Sequence, residues 1–332
     1  MKLLKVQADS DLEADFQQVP ALLFPSNIPL QMDSIGWSRE HLLHGYLLEK
    51  EGDYIGRIAL YHNPGHQLEG EPATCVGYFH CINDPAAAKR LIDAAAADTR
   101  ALGINKMIGP LNGSTWESYR FRTSDDPAPF FLETANPAYY NKLFLAAGFK
   151  PLKTYYSFEV KPLEPMSERI RNREQHFLNT GITFREMDPV HYEADVRKIY
   201  ALSLECFKDN FLYTPYPIEA FAKKYRLLED VFDPSMTLLA EDDGQLVGFV
   251  FMIDDAFCTT EKRVVFKTYA VHPRQKYAGL GAVLSQRLIE QLLQNGYTSS
   301  IHALVIEGSI SFNISSAHSK VYRTYQLYAR NL

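Results

Sequence analysis

Cysteine is scarce in this chain: Cys75, Cys81, Cys206 and Cys258 are the four among 332 residues, and none form a C-x-x-C pair. That pattern excludes a disulfide framework and leads to an expectation of buried thiols in a reducing compartment. Long apolar runs are also missing. The longest stretches, such as residues 246–253, fall far short of a membrane span, and the opening MKLLKVQADSDLEADF turns acidic before any signal-length apolar core develops. A cytoplasmic chain without a membrane partner is expected. Nor is there a surplus of positive charge. The 34 basic and 40 acidic residues leave a net charge of −6, which argues against nucleic acid as a partner. His62 and His66 are four apart, but Pro64-Gly65 between them precludes a shared helix face, and with no third ligand evident no metal is expected.

The composition, 46% apolar and 13% aromatic, supplies a sizeable core, and the length suits two domains. Internal similarity supports that division. Residues 47–56 read LLEKEGDYIG and residues 238–248 read LLAEDDGQLVG. Each is a β-prone run, a charged turn with glycine, and a second apolar run, the pattern of a hairpin. Gly52 matches Gly244 and Gly56 matches Gly248, both at an offset of 192. A short strand follows each hairpin, at 76–81 and 264–271. A helix comes next, from Pro85 to Leu102 behind an Asp84 N-cap and from about Gly281 to Asn295. Gly103 and Gly296 stop these helices at an offset of 193, and strands 106–109 and 300–305 close the pattern. The fold class expected is α/β (α+β), a mixed sheet flanked by helices, once per half. The expected division is 1–160, a linker at 161–180 that is partly helical, and 181–332. After the helix-ending glycine the first half continues for about 57 residues against 36 in the second. The surplus is 110–131, PLNGSTWESYRFRTSDDPAPFF.

The segment Val271-His272-Pro273-Arg274-Gln275-Lys276-Tyr277-Ala278-Gly279-Leu280-Gly281-Ala282 joins a strand to a helix. Loop glycines let backbone N–H groups approach an anion, the helix N-terminus adds unpaired donors, and Arg274 and Lys276 add charge, so the segment suits a phosphate or pyrophosphate. It is not a Walker loop, since no GK[ST] follows, nor a dinucleotide fingerprint, since the third glycine is missing. The order V-x-P-x-x-basic-x-x-G-x-G, after an apolar strand and before an amphipathic helix, resembles the acyl-coenzyme A pyrophosphate loop of the GNAT acyltransferase superfamily, with Lys276 where Arg or Gln is usual. Asn136-Pro137-Ala138-Tyr139-Tyr140 leading to Ala147-Gly148-Phe149 resembles the late helix of that fold, so the chain resembles a tandem two-domain member.

The resemblance implies acyl-CoA as cosubstrate and N-acyl transfer, most simply of acetyl, to a small amine or amino-acid-like acceptor. Alternatives are an aminoacyl or long-chain acyl transferase, or a CoA-binding regulator without catalysis. It implies that Tyr269, Ala270 and Val271 hold the pantetheine and acyl carbonyl and that a late tyrosine, here Tyr322, protonates the thiolate. A carboxylate is wanted as base, and Glu205 is a candidate. The first-half counterpart of the loop, Cys81-Ile82-Asn83-Asp84-Pro85-Ala86, has no glycine and no basic residue. Asp84 there would oppose a pyrophosphate by on the order of several kcal/mol, so a single CoA site is expected. Asn112, Trp116, Tyr119 and Arg120, in the surplus segment, are the expected acceptor-binding residues. A monomer with a tandem pseudo-dimer, or a homodimer, is expected.

Overall fold

The computed structural model describes residues 1–25, 37–133, 135–226 and 233–332. The first half contains β1 (Lys2–Val6), α1 (Glu13–Leu23), β2 (Leu42–Lys50), β3 (Asp53–Tyr61), a small ribbon of β4 (Gln67–Leu68) and β5 (Glu71–Pro72), and β6 (Thr74–Cys81). It continues with α2 (Pro85–Ala101), β7 (Lys106–Gly109), β8 (Phe121–Arg122), α3 (Tyr139–Ala146) and β9 (Lys150–Val160). The rest contains α4 (Glu168–Asn179), β10 (Thr183–Glu186), α5 (Tyr192–Phe207), α6 (Ile218–Arg226), β11 (Thr237–Asp242) and β12 (Gln245–Asp254). After these come β13 (Arg263–Val271), α7 (Leu280–Gln294), β14 (Ser299–Ile306), α8 (Ile310–His318) and β15 (Lys320–Asn331).

The repeat seen in the sequence is a repeat of physical parts. Glu51-Gly52 and Asp243-Gly244 both place two consecutive residues at positive φ, the requirement of a two-residue hairpin turn whose twist matches its strands. Gly56 and Gly248 lie where a helix crosses the second strand of each hairpin. A Cβ on Gly56 would stand 2.9 Å from Leu91 of α2, and one on Gly248 would stand 2.9 Å from Leu284 of α7. Both glycines therefore let a helix settle against the sheet. Asp84 caps α2, accepting from Ala86 N at 2.8 Å.

The two halves do not form two separate sheets. Their strands make one continuous sheet in the order β1-β2-β3-β6-β7-β15-β9-β14-β13-β12-β11-β10, with β8 joined to β15. Read from the centre outward, the order is the same in both directions, except that β9 and β15 have crossed over. The last strand of the first half lies beside β14, and the last strand of the chain lies beside β7. The two crossed strands pair with each other from Lys320↔Glu159 to Ala329↔Lys150. The segment 161–180 is also integrated. Leu163 and Phe177 are buried in the second-half core, and α4 packs on α7 with Arg171–Glu290 and Arg287–Glu174 ion pairs. Helices cover both faces, and each half has a buried cluster on each side of the sheet.

Candidate active site

In the second half a V-shaped opening separates two parallel strands. β13 and β14 are paired only from Arg263↔Ser299 to Phe266↔His302. Past that point they diverge, and two irregularities accompany the divergence. Phe251 of β12 faces Thr268 while Met252 faces Phe266, so Lys267 is an extra residue bulged out of register. In β14 the register against β9 slips between His302 and Val305, with Leu304 at φ 62°. Tyr269, Ala270 and Val271 thus lie on a strand whose inner edge has no strand partner, the arrangement that lets an extended amide-bearing chain add to a sheet. The Val271 carbonyl accepts the Cys206 thiol at 3.3 Å.

The corresponding V of the first half is filled. β6 and β7 pair only at Thr74↔Met107 and Cys75↔Ile108. Asn112 Oδ1 then accepts from Tyr78 N at 2.8 Å, Tyr140 Oη accepts from Cys81 N at 3.1 Å, and Tyr139 Oη donates to Cys81 O at 2.8 Å. Side chains of this half satisfy the groups that an incoming chain would need. Asn112, expected to face an acceptor, is instead this plug. It is buried, and a Cβ on Gly77 would lie 2.3 Å from its Oδ1. Asp84→Ala should cost about 1 kcal/mol through the lost cap while conferring no CoA affinity on this half, because the plug remains. Chemical denaturation and calorimetry with CoA check both parts, and a second CoA equivalent bound by the variant would contradict the account.

At the wide end of the second-half V lies the glycine loop. Residues Gln275–Tyr277 form a tight turn in which Tyr277 N and Ala278 N donate to Arg274 O and Gln275 O, each at 3.0 Å. Gly279 takes φ 89° and begins α7. Val283 N is the first to donate back to the helix start, to Gly279 O at 3.4 Å. The amides of Gly279, Leu280, Gly281 and Ala282 are thus free of backbone acceptors among the described residues, and the positive end of the helix dipole adds to them. Gly281 lies against Tyr269, whose ring a Cβ would reach at 3.3 Å. Donors and exposed backbone edge together fit an acyl-CoA: a diphosphate at the helix start and a pantetheine along β13.

The charges differ from the sequence-based expectation. Lys276 is held by Asp242 at 2.6 Å, and Tyr277 Oη binds the same carboxylate at 2.6 Å, so Lys276 is neutralised rather than aimed at the loop. Arg274 is exposed. The cation that touches the loop is Arg173 of α4, whose guanidinium donates to Ala278 O. It lies over a hundred residues away in sequence, and no motif marks it.

Glu205 of α5 reaches His272 at 3.2 Å, which brings it to the start of the loop. Tyr322 does not join it. Its hydroxyl donates to Ala128 O at 2.6 Å, and its ring lies 5.2 Å from the guanidinium of Arg263, the first residue of β13. Tyr269 is six residues further along that strand, or about 20 Å at the rise of an extended chain. The expectation that Tyr322 protonates a thiolate in the V therefore needs correction, because the crossover carries β15 away to the first half. His302 is close to the V, but burial pushes its pKa down to about 4, and its Nδ1 is hydrogen-bonded with Ser315 Oγ at 2.9 Å, so it is neutral near pH 7.

The surplus segment of the first half reaches this site. Trp116 stacks on Tyr216 with centroids 6.1 Å apart, meets Phe207, Tyr213 and Phe221, and donates from Nε1 to Thr214 O at 3.0 Å. Trp116 is thus an anchor between halves. Arg120 lies between the rings of Tyr119 and Tyr155, 4.0 and 4.4 Å from their centroids, and donates to Tyr119 Oη at 3.0 Å and to Leu304 O at 3.3 Å, on the β14 arm of the V. Sequence reading missed Lys267. Burial, together with the positive charges of Arg120 and Lys224, pushes its pKa down to about 8. A lysine inside an apolar strand was the available signal. Among the described residues no group of three or more His, Cys, Asp or Glu could hold a metal, no helix is long and apolar enough to cross a membrane, and the four cysteines are free.

Comparison with known proteins agrees with this geometry. The profile of the Acetyltransferase (GNAT) family matches residues 196–311. A bacterial ceramide synthase from Caulobacter vibrioides is 24% identical over 214 residues, covering 63% of this chain and 55% of that protein, so the chain matches about half the length of this relative. Among solved structures, a tandem GNAT protein from the clavulanic acid biosynthesis pathway superposes with a TM-score of 0.54 at 12% identity, covering 99% of this chain and 98% of that one. A GCN5-related N-acetyltransferase from Sphaerobacter thermophilus gives a TM-score of 0.52 at 13% identity, with 99% and 95% covered. These likenesses establish the fold, a GNAT fold carried in tandem, and within it residues 196–311 match the acetyltransferase (GNAT) family profile.

Proposed function

We propose that the protein is an acyl-CoA-dependent N-acyltransferase with one cofactor site, in the second half, and a small amine as acceptor. The observation that carries this reading is the contrast between the two V-shaped openings, one free with four unpaired amides at its end and the other closed by Asn112, Tyr139 and Tyr140. In this reading the amides of residues 279–282 hold the diphosphate, with Arg173 beside them, and the edge at Tyr269–Val271 aligns the pantetheine. Acyl-CoA supplies the activated thioester. Glu205, through His272 or a water, takes the proton that the attacking amine must lose. The first half contributes the acceptor side through Tyr119 and Arg120.

An acetyl donor is the simplest case. A long acyl chain is the second reading, supported by the resemblance to the bacterial ceramide synthase. Thermal-shift and calorimetric titrations with acetyl-CoA, hexadecanoyl-CoA and free CoA, followed by thiol release with an amine panel, separate the possibilities. Stabilisation by acetyl-CoA with turnover supports the first reading, and a preference for hexadecanoyl-CoA supports the second. Binding without turnover across the panel would favour a CoA-binding regulator. If none of the three ligands stabilises the protein, the assignment of the site is wrong.

A further inference from the structure

Lys267 is the bulged residue of β13. Among the described residues its ammonium has no hydrogen bond and no ion pair, although the side chain is half-buried. The groups around it deepen the problem. Arg120, from the surplus segment, is only 6% exposed, and its Nε is buried without a hydrogen-bond partner. Lys224 approaches from α6, where its ammonium donates to Trp116 O at 2.7 Å and to Glu117 at 2.9 Å. The hydroxyl of Tyr213, whose ring meets Trp116 edge-on, is likewise buried without a partner.

Two cations without a carboxylate partner thus flank the opening, Lys267 at the bulge of β13 and Arg120 against Leu304 of β14, with the ion-paired Lys224 of α6 on the same side. The carboxylate among them, Glu117, is already engaged by Lys224 and by the Tyr216 hydroxyl. Tyr119 and Tyr155 offer ring faces to Arg120 but no formal negative charge. A buried guanidinium and a half-buried ammonium that repel each other and leave donors unsatisfied are costly, and an arriving anion removes that cost. The diphosphate of a CoA is not that anion. Its donors begin at Gly279, past the end of β13, while Lys267 is four residues back from Val271, or about 13 Å along the strand. Val264 and Phe266 pack on the α7 side and Val265 on the α5–α6 side, so strand alternation places Lys267 on the α5–α6 side, away from the loop.

We infer that Lys267 and Arg120, supported by Lys224, form an anion subsite in the acceptor pocket, which selects amines that carry a nearby carboxylate or phosphate group. This rests on the acyltransferase reading for its biological meaning, yet the subsite itself can be measured without acyl-CoA. Calorimetry on the full chain with two matched pairs of probes tests it: N-acetylglycine against N-acetylglycinamide, and O-phosphoethanolamine against ethanolamine. The charged member of at least one pair should bind tenfold or more tightly than its neutral counterpart at pH 7, and the pair that discriminates tells a carboxylate from a phosphate. Lys267→Gln should reduce that preference to threefold or less while leaving acetyl-CoA affinity and the melting temperature in place, because the ammonium has no partner to lose. The preference should also fade between pH 7 and 9.5, as Lys267, charged below its pKa of about 8, gives up its proton. Equal binding within both pairs, or a preference that survives Lys267→Gln, would overturn the subsite even if transfer to neutral amines were observed. Conversely, absence of all acyl transfer would count against the acyltransferase reading and leave the anion subsite to stand on the calorimetry.

Discussion

Cutting the chain between Val160 and Lys161 should produce two fragments that fold together and not apart. A cut there looks harmless from the repeat, since it separates one copy from the other. The crossover makes it severe. A fragment ending at 160 lacks β15, the strand that lies between β7 and β9, so the β9 it retains loses its partners on both sides. A fragment beginning at 161 keeps β15 but not β9, and β14 and β15 lose their common neighbour. Tyr325, Leu327 and Tyr328 of β15 are buried, and at about 1.5–3 kcal/mol for each large side chain their exposure approaches the whole stability of an ordinary domain. Polar terms point the same way. Arg323 of β15 pairs with Glu133 at 2.6 Å, both side chains fully buried, and Tyr325 donates to the same carboxylate. A first-half fragment leaves that carboxylate without its cation, a loss of about 3–5 kcal/mol in buried pairs of this kind. Separate expression should give insoluble or non-cooperatively melting fragments, and co-expression should restore a 1:1 complex with cooperative unfolding. A sharp, reversible melt of either fragment alone would refute the structural interdependence of β9 and β15.

Gly279→Val should remove CoA binding while sparing the fold. Gly279 adopts φ 89°, a region that a β-branched residue avoids, and its Cβ would stand 2.7 Å from Nε of Arg173. The Arg173 side chain can swing away, so the clash is relieved at small cost. The backbone cannot be relieved without turning the first amides of α7 off their common direction, and those amides are the phosphate donors of the proposed site. The side chain would also fill the space in which an oxygen approaches the backbone. A ligand present at a hundredfold its dissociation constant stabilises the folded state by about 2.7 kcal/mol, and that increment should vanish in the variant. Lys276→Ala is the informative contrast. Its ammonium is already occupied by Asp242, so CoA affinity should change by less than threefold. Retained stabilisation in Gly279→Val, or a large loss in Lys276→Ala, would place the phosphates elsewhere.

Most of the local structure was legible in the sequence for reasons that act over a few residues. A charged residue and glycine demand a tight hairpin turn, Asp84-Pro85 starts a helix, Gly103 and Gly296 stop two, and Gly279 with Gly281 frees a helix N-terminus. Each depends on backbone conformation or on capping within one turn, and the repetition of these features at an offset of 192 to 193 disclosed the tandem organisation. The absence of a phosphate loop in the first half was equally local, since it follows from residues 81–86.

Tertiary structure decided what depends on contacts between distant segments. Nothing in residues 320–331 distinguishes a strand that stays with its own half from one that inserts between β7 and β9, because the alternation of buried and exposed side chains is the same in either place. That choice took Tyr322 from the V and gave Glu133 its partner. The plug of Asn112, Tyr139 and Tyr140 is equally invisible in sequence, since each residue suits a loop or helix and only the fold aims it at β6. Arg173 reaches the loop from α4, Asp242 draws Lys276 away from it, and the bulge that exposes Lys267 exists only in register with β12. Local sequence determined where the backbone can turn and cap and where it leaves amides free. Charge and side-chain direction at the site were set by long-range packing, where electrostatic and hydrogen-bonding partners come from whichever segments the sheet order brings together.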